Sequence, residues 1–289
     1  MKQFDFHSPQ TISSALALLA QYGSDCSVIA GGTDIVIALN ERASEVGHLI
    51  NINQIDALRY IKHEDGLVKI GPLTTFTELE NDPYVKEHLK ALYDTAVHVG
   101  SPQIRNLGTI GGNVVNASVA GDSPTTLMTY GATLVLSSTK GERIMTVEEF
   151  NMGPGNCQIR PDELLTEIRF PVLSKDEAVA CFKIGKRKSL AIVVLATGIY
   201  VRRDGANTIT DARVVLGAVS MHPMRAPEIE AALVGRKLTR DALNETLPLF
   251  TDAICAAIAN RPSVVYKRES VRGAARLCYE DILSQLGLA

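Results

Sequence analysis

The stretch Gln103-Ile104-Arg105-Asn106-Leu107-Gly108-Thr109-Ile110-Gly111-Gly112-Asn113 has a shorter counterpart upstream, Ala30-Gly31-Gly32-Thr33-Asp34. Each glycine pair interrupts an apolar stretch, the first between Val28-Ile29 and Ile35-Val36-Ile37, the second between Ile104/Leu107 and Val114-Val115. A glycine pair removes two Cβ atoms, so the backbone can take positive φ and come close to a ligand. Successive N–H groups in such a turn form a concave anion site, and a threonine hydroxyl adds a donor. One loop alone reads as an ordinary turn. Two matched loops point to two anionic groups held together, as in a dinucleotide pyrophosphate. The rival phosphate motifs are absent: the sequence contains no G-x-x-x-x-G-K-[ST] and no G-x-G-x-x-G after a strand with an acidic residue about 20 positions on.

Outward from these loops, residues 9–22 carry Ile12, Ala15, Leu16 and Leu19 at helical spacing, with Ser8-Pro9 at the start and Gly23 at the end. Strand-like runs follow at 27–30, 48–52 and 67–71, and 83–98 reads as a helix opened by Asp82-Pro83. Asp122-Ser123-Pro124 supplies a cap and a first-turn proline for a short helix through Met128-Thr129. Strands are predicted at 132–138 and 163–170. A polar, proline-led linker covers 171–177. Beyond it, 179–186, 190–202 and 208–219 read as consecutive antiparallel strands, with a turn at 202–207. Helical patterns then occupy 226–234, 239–260 and 263–286. A mixed αβ region followed by a small α+β domain is the expected class.

The bulk properties set limits. The chain has 289 residues, 46% of them hydrophobic, and a net charge of -3, which suits two or three compact units. That balance, with no tryptophan, argues against nucleic acid as a partner. The start lacks the apolar core of a signal peptide, and the longest apolar run, 190–201, is too short to span a bilayer. A soluble, cytoplasmic protein is expected, without membrane contact. Five cysteines (Cys26, Cys157, Cys181, Cys255, Cys278) show no C-x-x-C spacing, and six histidines show no H-x-x-x-H, so no metal site is expected in this chain.

The chain resembles the FAD-binding (medium) subunit of molybdenum hydroxylases, the xanthine, carbon-monoxide and nicotinate dehydrogenase group. The resemblance rests on the two glycine loops, on Gly121-Asp122-Ser123 and on Phe182-Lys183. The stretches 186–192 and 261–267 look closest to the nicotinate dehydrogenase branch. The resemblance implies a vanillyl-alcohol-oxidase (PCMH)-type α+β fold. Residues 1–173 would form the FAD-binding domain, with subdomains of about 1–57 and 58–173, and 177–286 the C-terminal domain. In such complexes the substrate is hydroxylated at a molybdopterin in a large subunit. Electrons then pass through [2Fe-2S] clusters of a small subunit to FAD and on to an acceptor such as NAD(P)+. Non-covalent FAD is the cofactor expected here, since no His or Cys lies inside the first loop; Cys26 beside it reads as a small buried residue.

Position by position, the resemblance makes Val28, Ile29, Ala30, Gly31, Gly32, Thr33, Asp34 and Ile35 the first pyrophosphate loop, and Thr109, Ile110, Gly111, Gly112 and Asn113 the second. Asp122 falls where a carboxylate bonds FAD, Val99 and Leu165 where apolar residues line it, and Lys183 where a side chain reaches the flavin end. A carboxylate is a pure acceptor suited to ribose or ribityl hydroxyls, and a cation near the flavin favours its reduced, anionic form. From the residues alone, Asp122 reads equally as a helix cap, Val99 and Leu165 as core, and Lys183 with Lys186-Arg187-Lys188 as a solvated face. Within the resemblance that basic run becomes a candidate for an NAD(P) phosphate or a partner subunit. No residue reads as a general acid or base. A stand-alone flavin oxidase and a non-catalytic dinucleotide-binding module remain as alternatives.

Overall fold

Strand β1 (Asp5–His7), helix α1 (Ile12–Tyr22), strand β2 (Cys26–Ile29), helix α2 (Ile35–Asn40) and strand β3 (His48–Asn51) open a computed structural model that describes residues 4–41, 46–187 and 190–288. The strands pair in parallel in the order β1-β3-β2. Ala15, Leu16 and Leu19 bury one face of α1 against Ile50 and Ile52. Thr11, rather than Ser8-Pro9, caps this helix, through reciprocal bonds with Ser14. Gly23 ends it at φ 52°.

The next unit contains β4 (Ile61–Glu64), β5 (Leu67–Ile70), α3 (Phe76–Asn81), α4 (Pro83–His88), α5 (Lys90–His98), α6 (Pro102–Leu107), α7 (Ile110–Val115) and α8 (Asp122–Tyr130). It continues through β6 (Thr133–Ser138), β7 (Gly141–Thr146), α9 (Val147–Phe150), β8 (Asn151–Gly153), β9 (Asn156–Cys157) and β10 (Leu164–Pro171). Its five-stranded sheet has the order β4-β5-β10-β6-β7, so β10 returns from far along the chain to fill the centre. The helix predicted over 83–98 is broken. Leu89 takes φ −125° and ψ 52° and drops its side chain into the core at 1% exposure, a tertiary demand that outweighs local helix propensity.

The last unit is a four-stranded antiparallel sheet in chain order, β11 (Glu177–Gly185), β12 (Val193–Arg203), β13 (Ile209–Gly217) and β14 (Met224–Arg225). Helices α10 (Pro227–Leu233), α11 (Arg240–Asn244), α12 (Leu247–Ile258) and α13 (Val264–Gln285) complete it. One helix was expected over 239–260. Pro248, in the first turn of α12, has no N–H to continue a preceding helix, so two form instead.

This sheet is covered on both faces. Ala178, Ala180, Leu195, Ile199, Val214 and Leu216 face the core beneath α12 and α13. Their alternates Val179, Tyr200 and Val215 belong to the core of the preceding unit, where α5 and α8 pack on the strands. The α8 contact is close because the sheet offers glycines: a Cβ on Gly198 would lie 2.0 Å from Thr129 Oγ1, and one on Gly217 2.3 Å from Thr125 Oγ1. No helix among the described residues is long and apolar enough to cross a membrane.

Candidate functional site

The first glycine loop leaves β2 at Ile29 and enters α2 at Ile35. Gly32 takes φ +75°, the left-handed conformation that glycine adopts without strain. Gly31 does not. Its demand is for space, since a Cβ there would lie 1.7 Å from the Leu107 carbonyl oxygen. Loop one therefore rests directly on the end of α6. A side-chain bond adds to this, with Asn116 Nδ2 donating to Asp34 Oδ1 at 3.0 Å. Val28 to Thr33 are half-buried. Among the described residues, the backbone N–H groups of Gly31, Gly32, Thr33 and Asp34 have no acceptor.

The second glycine pair is not a loop. Gly111 and Gly112 lie in the first turn of α7, and Thr109 caps it through its hydroxyl, which accepts from the Gly112 N–H at 3.1 Å. Neither glycine has positive φ. Gly111 is required because a Cβ there would lie 2.4 Å from Pro72 Cβ, and its N–H donates to the Pro72 carbonyl at 3.0 Å. Ile110 donates to the Thr74 carbonyl and Asn113 to that of Thr109, at 2.9 and 3.0 Å. Every N–H from Ile110 to Asn113 is thus satisfied internally, which leaves side chains and the exposed Gly112 face as what this segment offers to a ligand. Its neighbours Leu107 and Asn116 meet the first loop on either side, and the segment offers the exposed Gly112 surface and the Asn113 side-chain amide.

Asn113 has a second task that the sequence hides. Its Oδ1 accepts from the Ser123 N–H at 3.0 Å and the Ser123 hydroxyl at 2.7 Å, capping α8 from outside. The expected cap, Asp122, is instead the first residue of that helix, and Gly121 stands at the cap position. The freed Asp122 carboxylate reaches across to the C-terminal sheet, where its Oδ1 lies 2.6 Å from Lys183 Nζ. The same ammonium donates to the His98 carbonyl at 3.0 Å. These two side chains are only 14% and 17% exposed. Burial pushes the Asp122 carboxyl up from its ordinary value, and Lys183 foremost, then His98, pulls it back.

Val99 follows α5 at 6% exposure, and its carbonyl accepts from Arg105, which is itself paired with Glu80. Leu165 sits on β10 opposite Leu136 at 3% exposure. Both side chains belong to the main core. Of the basic run, Arg187 folds back to donate to the Leu190 carbonyl at 3.0 and 2.6 Å, while Lys188 and Ser189 lie outside the described residues. Sequence reading missed Asn116 and the His98 and Leu107 carbonyls, since each acts on a residue brought near only by folding. No group of three or more His, Cys, Asp or Glu among the described residues is placed to hold a metal ion.

The donor set suits FAD. Four successive N–H groups without an acceptor among the described residues, three of them on half-buried residues, form the kind of concave donor row that matches a pyrophosphate's oxygens. A carboxylate and an ammonium stand at the seam between the two units, where hydroxyls and a flavin ring could be bonded.

Comparison with known proteins agrees with this geometry. Residues 2–173 match the FAD binding domain in molybdopterin dehydrogenase, and residues 180–282 the CO dehydrogenase flavoprotein C-terminal domain. The chain is 42% identical over 290 residues to the nicotinate dehydrogenase FAD-subunit of Eubacterium barkeri, covering 99% of this chain and 98% of that one. It is 33% identical to a putative xanthine dehydrogenase FAD-binding subunit of Escherichia coli K12, over 90% and 89% of the two chains. Among solved structures, a carbon monoxide dehydrogenase from Hydrogenophaga pseudoflava, lacking the Mo-pyranopterin moiety of its molybdenum cofactor, superposes with a TM-score of 0.89. The identity there is 29%, over 98% of both chains. The chain belongs to the FAD-binding subunit family of the molybdenum hydroxylases, flavoprotein subunits of oxidoreductases with the PCMH-type α+β fold.

Proposed function

We propose that this chain is the electron-transfer subunit of a molybdenum-containing hydroxylase whose substrate is an N-heterocycle such as nicotinate or a purine. Residues 1–173, in two parts meeting near 57, hold FAD without a covalent bond, and 177–286 closes over the flavin end. Bound FAD supplies the exchange of electrons between an iron–sulfur donor and an acceptor such as NAD(P)+. This chain's residues bind and orient the cofactor. The N–H row of Gly31 to Asp34, backed by Thr109 to Asn113, holds the pyrophosphate. Asp122 accepts from hydroxyls through its second oxygen, and Lys183 meets the flavin end. Val99 and Leu165 support the apolar wall. The large molybdopterin subunit and the small [2Fe-2S] subunit are separate chains in this reading, consistent with five scattered cysteines here.

The observation that carries the reading is the row of N–H groups at Gly31 to Asp34 without an acceptor among the described residues, a set of donors that a pyrophosphate matches. The substrate class rests on the 42% identity to a nicotinate dehydrogenase subunit. The test is an absorption spectrum of the purified chain before and after acid precipitation. A flavin spectrum with free FAD in the supernatant, bleached by NAD(P)H, is the expected result. A colourless chain that takes up no FAD refutes the reading, and oxidation of a small molecule by the chain alone favours a stand-alone oxidase.

A further inference from the structure

Resting on the reading that Lys183 meets the flavin end, we propose that Asp122 is a positioning residue for Lys183. One carboxylate oxygen fixes the ammonium across the seam between the two units and so acts on the flavin end through that lysine, while the second oxygen keeps the hydroxyl contact proposed above.

Three features converge on this role. Asp122 is excused from capping, since Asn113 serves the α8 terminus through Ser123. Its carboxylate then meets Lys183 Nζ at 2.6 Å, with both side chains largely buried. An ammonium taken out of water needs a counter-charge and hydrogen-bond acceptors, and the His98 carbonyl at 3.0 Å is the second acceptor. Lys183 has three donors, so Asp122 and His98 take two and leave one to aim. The other charges around this point are engaged elsewhere. On α5, the His98 ring bonds the Asp94 carbonyl, and the Asp94 carboxylate pairs with Lys90, which also meets Asp281 of α13. On α6, Arg105 pairs with Glu80. His98 adds a weaker pull on the Asp122 carboxylate, and Lys183 is its direct partner.

The role has a sign that separates it from that of a plain anion beside the flavin. Removing an anion near the ring favours the reduced form and raises the midpoint potential. Removing the residue that aims a cation lowers it, as loss of the cation itself does. The experiment measures the flavin midpoint potential in the FAD-loaded full chain for Asp122→Ala, Lys183→Met and the double variant. Both single variants should fall below the parent chain, and in the Lys183→Met background, where no cation is left to aim, Asp122→Ala should lower the potential no further. A rise on Asp122→Ala, or shifts that add, overturns the proposal. Should Asp122→Ala not fold, Asp122→Asn keeps the shape and should give a smaller shift of the same sign. Thermal melting of the cofactor-free chain gives an independent readout. Non-additive losses support the ion pair, and additive losses overturn it, even if the chain takes up no FAD and the function proposed above fails.

Discussion

Replacing Gly31 by alanine is expected to part the two glycine segments and release the cofactor. The added Cβ would stand 1.7 Å from the Leu107 carbonyl oxygen and 2.5 Å from its carbon. Real Cβ atoms do not come within 3.0 Å of such an atom, so the segments must separate by the difference from 1.7 Å, about 1.3 Å. The obstacle is backbone, and the next carbonyl along, that of Gly108, is tied to the Phe76 N–H at 3.1 Å, so it cannot swing aside freely. Overpacking of this kind costs about 1–3 kcal/mol of stability. The cofactor loses more. A shift of this size takes N–H groups out of hydrogen-bond range of a phosphate, and bonds to charged groups are worth about 1.5–3 kcal/mol each. Loss of two weakens FAD by roughly a hundredfold to ten-thousandfold. The assay is FAD titration of the cofactor-free chain by flavin fluorescence, with melting in parallel. Gly32→Ala is the comparison, because there the nearest atom is a Val36 side-chain methyl at 3.3 Å, a tight contact that can give by a few tenths of an ångström, and the main strain is the φ of +75°. A Gly31→Ala chain with the parent affinity and melting temperature refutes the argument.

Gly198→Ala should lower stability by about 1–3 kcal/mol, because its Cβ would lie 2.0 Å from Thr129 Oγ1; Thr129→Ala in the same chain should recover part of the loss on melting. Glu163 is 4% exposed and binds Arg143 at 2.6 Å and the Arg160 N–H at 2.8 Å. Burial alone would raise its carboxyl, but these bonds win and hold it below the ordinary value. The folded chain therefore binds this proton more weakly than the unfolded chain. The stabilisation is complete above the ordinary glutamate value of about 4.3 and is lost as pH falls through the folded value. Glu163→Gln should cost about 2–3 kcal/mol at pH 7, and the gap should narrow in melting curves as pH falls below the ordinary glutamate value of about 4.3. Gly273, on α13, has open space around its Cβ position, so Gly273→Ala should raise the melting temperature through about 0.5–1 kcal/mol.

What the sequence revealed, and what it hid, divides by range. Helix α1 was legible because Ala15, Leu16 and Leu19 repeat at helical spacing. Strands β11 to β13 were legible as near-continuous apolar runs such as Ala178 to Phe182 and Val193 to Ala196, a pattern that itself fits a sheet covered on both faces. The break at Leu89 was hidden, since nothing local marks it and the core draws the side chain in. The break at Pro248 was visible and missed. The glycine pairs were found as special positions, but their reasons were not. Gly31 and Gly111 answer to Leu107 and Pro72, whose proximity no local pattern encodes. Asp122 misled because Asp-Ser-Pro is a good capping sequence. Asn113 serves that helix from ten positions away, which only the folded chain can show.

The doubly covered sheet imposes an order of events on the ribosome. Helix α8 is complete at Tyr130, yet the strands that shield its Thr125 and Thr129 face end only at Gly217. At about 5–20 residues per second, that interval is roughly 4–17 seconds. Throughout it the nascent first half exposes a face that its own later sequence must cover. A fragment ending near 173 keeps that face bare permanently, so it should be held by chaperones or aggregate instead of behaving as an independent flavoprotein.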